Sequence, residues 1–238
     1  MSLEWPCVTC PNRDRGICGA LLRSPSQDTR AVRQLPWQQF RTARANENIV
    51  VQNDLSEFVY VLCVGWAFRF LKPVDLHKQI LNFLLPGDIF SPIAVFEERS
   101  NSSVQALTAV QVSRFERSEV RRRMATNPFI LEQLARSCGA KQKDADELMT
   151  VLGRGSAEKR IAYLFLHLMR KLADQAIIRA HQFSFPLRQR HIAEITGLTS
   201  VHVSRVIKTF RDRGLIELSG GSLSILDISE LERIGSVK

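Results

Sequence analysis

The chain lacks a long apolar run. The longest, Phe58 to Phe68, is too short to cross a bilayer and stops at Arg69, so no membrane partner is expected. The opening MSLEWPCVTC has no basic stretch leading into an apolar one, so no signal peptide is expected and the cytoplasm is the expected location. Internal repeats and low-complexity segments are absent. So are a phosphate-cradling glycine-rich loop, G-x-S-x-G and H-E-x-x-H. The five histidines, His77, His167, His181, His191 and His202, fall at no metal or catalytic spacing, and no enzyme is expected. Acidic residues are also short: 24 Asp and Glu stand against 33 Lys and Arg. The net charge of +9 favours a polyanionic partner, most simply nucleic acid, through counterion release and steering.

Cysteines number only five in 238 residues, yet three of them lie in CVTCPNRDRGIC, residues 7 to 18, spaced C-x2-C-x7-C. In a reducing compartment, clustered thiols point to metal or redox chemistry rather than to structural disulfides. A closed tetrahedral site needs a fourth ligand, and the motif does not supply it.

With 45% apolar residues the chain is an ordinary globular one, long enough for one large or two modest domains. From about 45 to 116 it reads as β. ENIVV, FVYVLCVGWAFRF, QILNFLLPGDIF and VQALTAVQVSRF are short, rich in Val, Ile, Leu and Phe, and several are separated by Gly, Asn, Asp or Pro. Val110 and Val112 alternate with Gln111 and Ser113, as on a half-buried strand. Strands in such succession predict a barrel or roll. Residues 127–152 read as one long helix. Leu131, Leu134, Cys138, Lys141, Ala145, Leu148 and Leu152 recur at steps of three and four, a seam suited either to a dimer or to packing within the domain. Ser156 can cap the next helix, which carries Ile161, Leu164, Phe165 and Leu168.

The most specific stretch is RQRHIAEITGLTSVHVSRVIKTFRDRGLIEL, residues 188 to 218. A first helix turns Ile192, Ala193 and Ile195 inward, Gly197 supplies a turn, and Thr199 or Ser200 caps a second helix. In that second helix Val203, Val206, Ile207 and Phe210 form the packing face. Val201, Ser204, Arg205 and Lys208 form the opposite face, with Arg211 one turn on. Hydrogen-bonding and cationic groups on an outward face are what a helix in a major groove needs. Gly214 ends the helix, and LIEL, SGGS and LSIL follow as a hairpin, a wing beside the helix-turn-helix. From Arg188 to Arg213 there are six basic residues against two acidic ones, which fits a DNA-facing surface.

A roll, a long helix, SAEKRIAYLFLHL and a winged motif reading GLTSVHVSR together resemble the CRP/FNR superfamily of bacterial transcription regulators, and LLPGDIF is similar to that family's roll signature. The resemblance implies an α+β fold: an N-terminal β-roll of the cyclic-nucleotide-binding kind, a long dimerisation helix and a C-terminal winged helix-turn-helix. The corresponding segments are residues 1–30, which carry the cysteines, 31–126, 127–152 and 153–238. It also implies a homodimer on roughly palindromic double-stranded DNA, with RNA polymerase as a further partner. FNR-like members read DNA with Glu-x-x-Ser-Arg. Ser204 and Arg205 match this pattern, and Val201 stands in place of the Glu. Arg205 can fork onto guanine, Val201 offers a thymine methyl an apolar surface, and Ser200, His202 and Lys208 complete the expected DNA-facing set.

The C-x2-C-x7-C segment is similar to the cluster-binding segment of an FNR-like branch whose three cysteines, with a fourth inside the roll, hold an oxygen-labile [4Fe–4S] cluster. Carried over, Cys7, Cys10 and Cys18 are three ligands. Ser113 stands where the family's fourth cysteine lies, and Cys63 is the best remaining thiol, Cys138 being placed in the helix seam. The family's other input, cyclic AMP, needs a Gly-Glu pair after PGDIF, where this chain has Ser91-Pro92-Ile93, and an Arg-Ser pair that Arg99-Ser100 misses by a residue. Cyclic AMP is not expected. Two alternatives stay open: a cluster-free regulator answering a small effector or thiol oxidation, and a redox protein or enzyme built on the N-terminal cysteines.

Overall fold

The computed structural model describes residues 7, 10–22, 35–74, 78–174 and 181–237. The expected boundary between residues 30 and 31, and His77, lie outside them. Two compact units are present, one built from residues 1–70 and 83–142, the other from 71–82 and 143–238.

The first unit begins with a short helix, α1 (Gly16–Leu22), which the weak periodicity of this segment did not announce. The strands of the roll follow: β1 (Gln38–Ala43), β2 (Asn48–Val50), β3 (Phe58–Val64), β4 (Ala67–Leu71), β5 (Gln79–Leu84, of which residues 79–82 group with the second unit), a 3-10 turn at Pro92–Val95, β6 (Ser103–Ala106) and β7 (Val110–Glu116). They form two sheets, ordered β1-β7-β3 and β2-β6-β4-β5. β7 runs antiparallel to both β1 and β3. Each stretch read as β contains strand, although in QILNFLLPGDIF the strand stops at Leu84. β1 was missed because QQFRTA is largely polar.

Period-two alternation divides β3 between two cores. Val59 and Val61 join Ile17, Ala20 and Leu21 of α1, Trp37 and Phe115. Leu62 joins Ala67, Leu84, Phe90, Val104, Val110 and Val112 inside the roll. Ser113 departs from the half-buried pattern read for β7. It is 1% exposed, because α1 packs over the face that would otherwise be solvent, and Gln38 Nε2 donates to its hydroxyl at 2.7 Å.

A helix not foreseen, α2 (Arg117–Thr126), precedes the long helix α3 (Pro128–Arg154), which ends two residues beyond the expected span. The seam divides. Leu134, with Ile130, is buried in the first unit's own core against α1, whereas Leu131, Cys138 and Ala145 are exposed and Lys141, Leu148 and Leu152 half-buried.

The second unit contains α4 (Ala157–Asp174), β8 (Gln182–Ser184), α5 (Gln189–Thr196), α6 (Ser200–Asp212), β9 (Ile216–Ser219), β10 (Ser222–Ile225) and α7 (Ile228–Gly235). Ser156 Oγ accepts from Lys159 N at 3.2 Å, the expected cap, and Ile161, Leu164, Phe165 and Leu168 are buried. The wing is three-stranded, ordered β8-β10-β9. The architecture is that expected: a roll, a long helix and a winged helix-turn-helix.

Candidate nucleic-acid interface and cysteine cluster

The helix pair is set by three local devices. Gly197 takes φ 65°, ψ 28°, a left-handed conformation in which a Cβ is strained, and this ends α5 and starts the turn. Thr199 is the N-cap of α6, its hydroxyl accepting from His202 N at 3.3 Å. Arg160 braces the turn from α4, with Nη1 donating to Thr196 O at 3.1 Å and Nε to Gly155 O at 3.0 Å. His191, in the first turn of α5, is buried and accepts from Arg188 N through Nδ1 at 3.0 Å. Burial, reinforced by the neighbouring Arg190, Lys78 and Arg188, lowers its pKa to about 4.

With α6 so held, Val203 and Phe210 are fully buried, and Val206 and Ile207 nearly so. Burying four such side chains anchors the helix by roughly 1.5–3 kcal/mol each. Ser200, Val201, His202, Ser204, Arg205, Lys208 and Arg211 are all exposed, as their spacing predicts. Val201, 59% exposed, is an apolar surface with no core to join. Among the described residues Arg205 and Lys208 form no ion pair. Arg213 differs: its guanidinium bonds Glu230 at 2.6 Å and lies 3.9 Å from Glu158, so its charge is spent inside the unit. Gly220 and Gly221, both at positive φ, form the wing tip. The result is a helix with an apolar anchor on one side and, on the other, hydroxyls, an exposed valine and cations that form no ion pair among the described residues. That surface is suited to base edges and phosphates.

At the other end of the chain, Asn12 of the cysteine segment lies against the roll. The turn glycine of LLPGDIF, Gly87, has φ 93°, and a Cβ there would come within 3.0 Å of the Asn12 side chain. Cys7 is buried, while Cys10, Cys18 and Cys63 are half-buried. All four are free thiols. Cys63, Cys7 and Cys10 lie within electrostatic reach of Cys18, and Cys7 and Cys10 within reach of Cys63. Burial raises the pKa of Cys18 well above the ordinary thiol value and pushes Cys63 up to about 12. Cys7 is also raised by burial, against a hydrogen bond from Gln38 Nε2 at 3.5 Å. Cys63 sits where the β3–β7 register slips, between Leu62 and Val64. Such a bulge re-aims a side chain. Cys138 is apart on α3 and exposed. Among the described residues no group of three or more His, Cys, Asp or Glu is arranged to hold a metal ion. No helix of the described residues is long and apolar enough to cross a membrane.

Roll, long helix and winged helix-turn-helix together define a DNA-binding regulator with a sensor-type domain ahead of its reading head. Comparison with known proteins makes the class specific. Residues 159–234 match the model of the Crp-like helix-turn-helix domain, and residues 40–127 match that of the cyclic nucleotide-binding domain. The two models cover most of the chain between them, and the chain belongs to the CRP/FNR family of transcription regulators. It is 26% identical to the transcriptional activator protein FnrL of Cereibacter sphaeroides over 217 residues, 90% of this chain and 85% of that protein. It is 25% identical to the nitrogen fixation regulation protein FixK of Bradyrhizobium diazoefficiens over 232 residues, 97% of this chain and 94% of that one. In fold it resembles the structure of FixK2 from Bradyrhizobium japonicum, with a TM-score of 0.77 and 22% identity, over 84% of this chain and 98% of that one.

Proposed function

We propose that this regulator is a cytoplasmic homodimer that reads a roughly palindromic DNA site with Ser200, Val201, His202, Ser204, Arg205 and Lys208. Its input is oxygen or redox state, sensed through a [4Fe–4S] cluster on Cys7, Cys10, Cys18 and Cys63. RNA polymerase is the further partner that the family resemblance implies.

What supports the input is four free thiols, three at or beside α1 and one on β3, within electrostatic reach of one another, although among the described residues they are not arranged as a closed metal site. Their donor chemistry fits an iron–sulfur cluster, which takes soft anionic thiolates. When bound, such a cluster supplies one-electron and oxygen chemistry that no side chain here offers. The place of Cys63 in the sheet supports the reading of it as the fourth ligand. Ser113, where relatives of the cluster-bearing branch have cysteine, pairs with Val61 across β3 and β7. Cys63 lies two residues on from Val61, at the bulge where the β3–β7 register shifts, and the Ser113 backbone hydrogen-bonds its thiol, so a thiol stands beside the position of the missing one.

The route to the output runs through packing. Cys18 packs against the core that holds Ile17, Ala20 and Leu21 of α1 together with Ile130 and Leu134 at the start of α3. A change in the cysteine loop therefore bears on the first turns of the helix whose outward face a second copy would cover. That face runs through Leu131, Ala135, Cys138, Ala145 and Met149, all exposed. Dimer population is the quantity such a change biases.

The test is anaerobic purification followed by an absorption spectrum and iron and sulfide counts, before and after air. Wild type and Cys138→Ser are expected to be brown and to carry four irons on the reading above, and Cys63→Ser to lose most of them. Loss of the cluster should lower dimer population and DNA affinity together. A colourless, iron-free wild type with unchanged DNA binding in air moves the input away from the cysteines. Equal iron in Cys63→Ser moves the fourth ligand elsewhere.

A further inference from the structure

Between Arg188 and Arg213 two acidic residues stand among six basic ones, and Glu194 is one of them. An acid on the first helix of a DNA-facing pair repels phosphates, so its place there calls for a partner within the protein. That partner is Lys78, whose Nζ lies 3.3 Å from Glu194 Oε2. Both side chains are mostly covered, at 27% and 24% exposed. Glu194 Oε2 is shut off from water and accepts no hydrogen bond among the described residues, so Lys78 is the cation that offsets its charge. Lys78 also lies within electrostatic reach of His191, three residues before Glu194 on α5. In sequence the lysine is far from this helix. It stands just ahead of β5, and residues 71–82 group with the second unit although β4 begins, and β5 ends, in the first.

The short helix α5 is thus held twice near its end. Arg160 of α4 donates to Thr196 O, and Lys78 pairs with Glu194 two residues earlier. The left-handed turn at Gly197 and the cap at Thr199 follow at once, so the orientation of α5 passes directly to α6. We propose that Lys78 is a positioning residue for DNA binding: paired with Glu194, it holds α5, and α6 beyond the turn, in the orientation that sets Arg205 against base edges. The inference rests on the reading of α6 as the DNA-facing helix and is independent of the cysteine cluster. Phosphate contacts tolerate a tilted helix better than base contacts do, because they carry no sequence information. Loss of the pair therefore shows in discrimination between sequences more than in overall affinity. Since β4 and β5 run by their own backbone into the strands of the roll, the pair also ties the reading helix to the sensor-type domain.

The experiment uses the full-length protein and fluorescence anisotropy at one salt concentration. It measures affinity for the duplex that wild type selects and for a scrambled duplex of the same length. The readout is the ratio of the two affinities, because net charge and folded fraction act on both duplexes alike. Lys78→Glu and Glu194→Lys each bring like charges together, and each should lower the ratio about threefold or more, although they shift net charge in opposite directions. The double swap, Lys78→Glu with Glu194→Lys, should restore the ratio to within about twofold of wild type. If a reversal does not fold, Lys78→Met and Glu194→Gln remove the pair without repulsion and should lower the ratio about twofold. An unchanged ratio in the variants that fold overturns the proposal. So does a double swap no better than the single reversals, or a ratio that falls in one reversal and rises in the other. A wild type that selects no sequence overturns the reading of α6 itself, and the role of Lys78 with it.

Discussion

The two ends of the molecule treat their polar groups in opposite ways. On α6 the groups that matter stand in water: Arg205 and Lys208 are exposed and form no ion pair among the described residues, while the apolar side of the same helix carries all the packing. At the N-terminal end the groups that matter are half or fully covered. Cys7 is buried, Cys18 and Cys63 are half-buried, and their surroundings favour the neutral thiol. The first arrangement separates binding from stability, because an outward side chain can change without touching the core. The second joins them, because anything that alters the cysteine face also alters the packing of α1, and through it Ile130 and Leu134. A reading head benefits from the first arrangement, and a sensor that must move the rest of the protein benefits from the second.

That contrast can be attacked from several sides. The largest effect is expected on the packing side of α6. Phe210→Ala removes a fully buried ring and should destabilise the C-terminal unit by about 3–5 kcal/mol in urea unfolding, taking DNA binding with it. Next is the cysteine end. Gly87→Ala places a Cβ at positive φ against Asn12 and should cost about 1–3 kcal/mol while disturbing the cysteine loop, read as lost iron or altered cysteine labelling. A loss of stability with the loop unchanged would show that the two are not joined there. Thr199→Ala removes the cap of α6 and should cost about 1 kcal/mol.

The smallest effect at neutral pH belongs to His191. Its folded pKa, about 4, lies below the ordinary histidine value near 6.5, so between these values the unfolded chain binds more protons than the folded one. Stability of the C-terminal unit should therefore be flat above about pH 6.5 and fall as pH drops towards 4. His191→Gln should flatten that fall when unfolding is followed across the range, and an unchanged slope would place the acid sensitivity elsewhere.

How much of this was legible in the sequence differs between the ends for a physical reason. A helix that buries one side and wets the other writes its periodicity into the chain, and Val203, Val206, Ile207 and Phe210 could be read against Ser204, Arg205 and Lys208 without coordinates. The strands of the roll were equally legible where they were apolar. Spacing alone could not reveal that α1 covers the face bearing Ser113, since that burial comes from chain segments about 75–100 residues away in sequence. β1, α2, β8 and α7 were missed because their own residues are polar or their patterns short, and tertiary packing decides them. Seam reading placed Leu134 with Leu131, but α1 claims Leu134 for the domain's own core.

The central claim is that α6 reads bases through its outward face, with Arg205 forked onto a guanine. The direct measurement takes the site that the wild-type protein selects from random duplexes and compares affinities for it and for versions with each half-site guanine replaced, using wild type and Arg205→Ala. Wild type should lose about 1–3 kcal/mol per substituted half-site at one guanine position, and Arg205→Ala should lose that preference while its unfolding curve stays unchanged. A variant that keeps the full preference, or that unfolds more easily than wild type, would contradict the account.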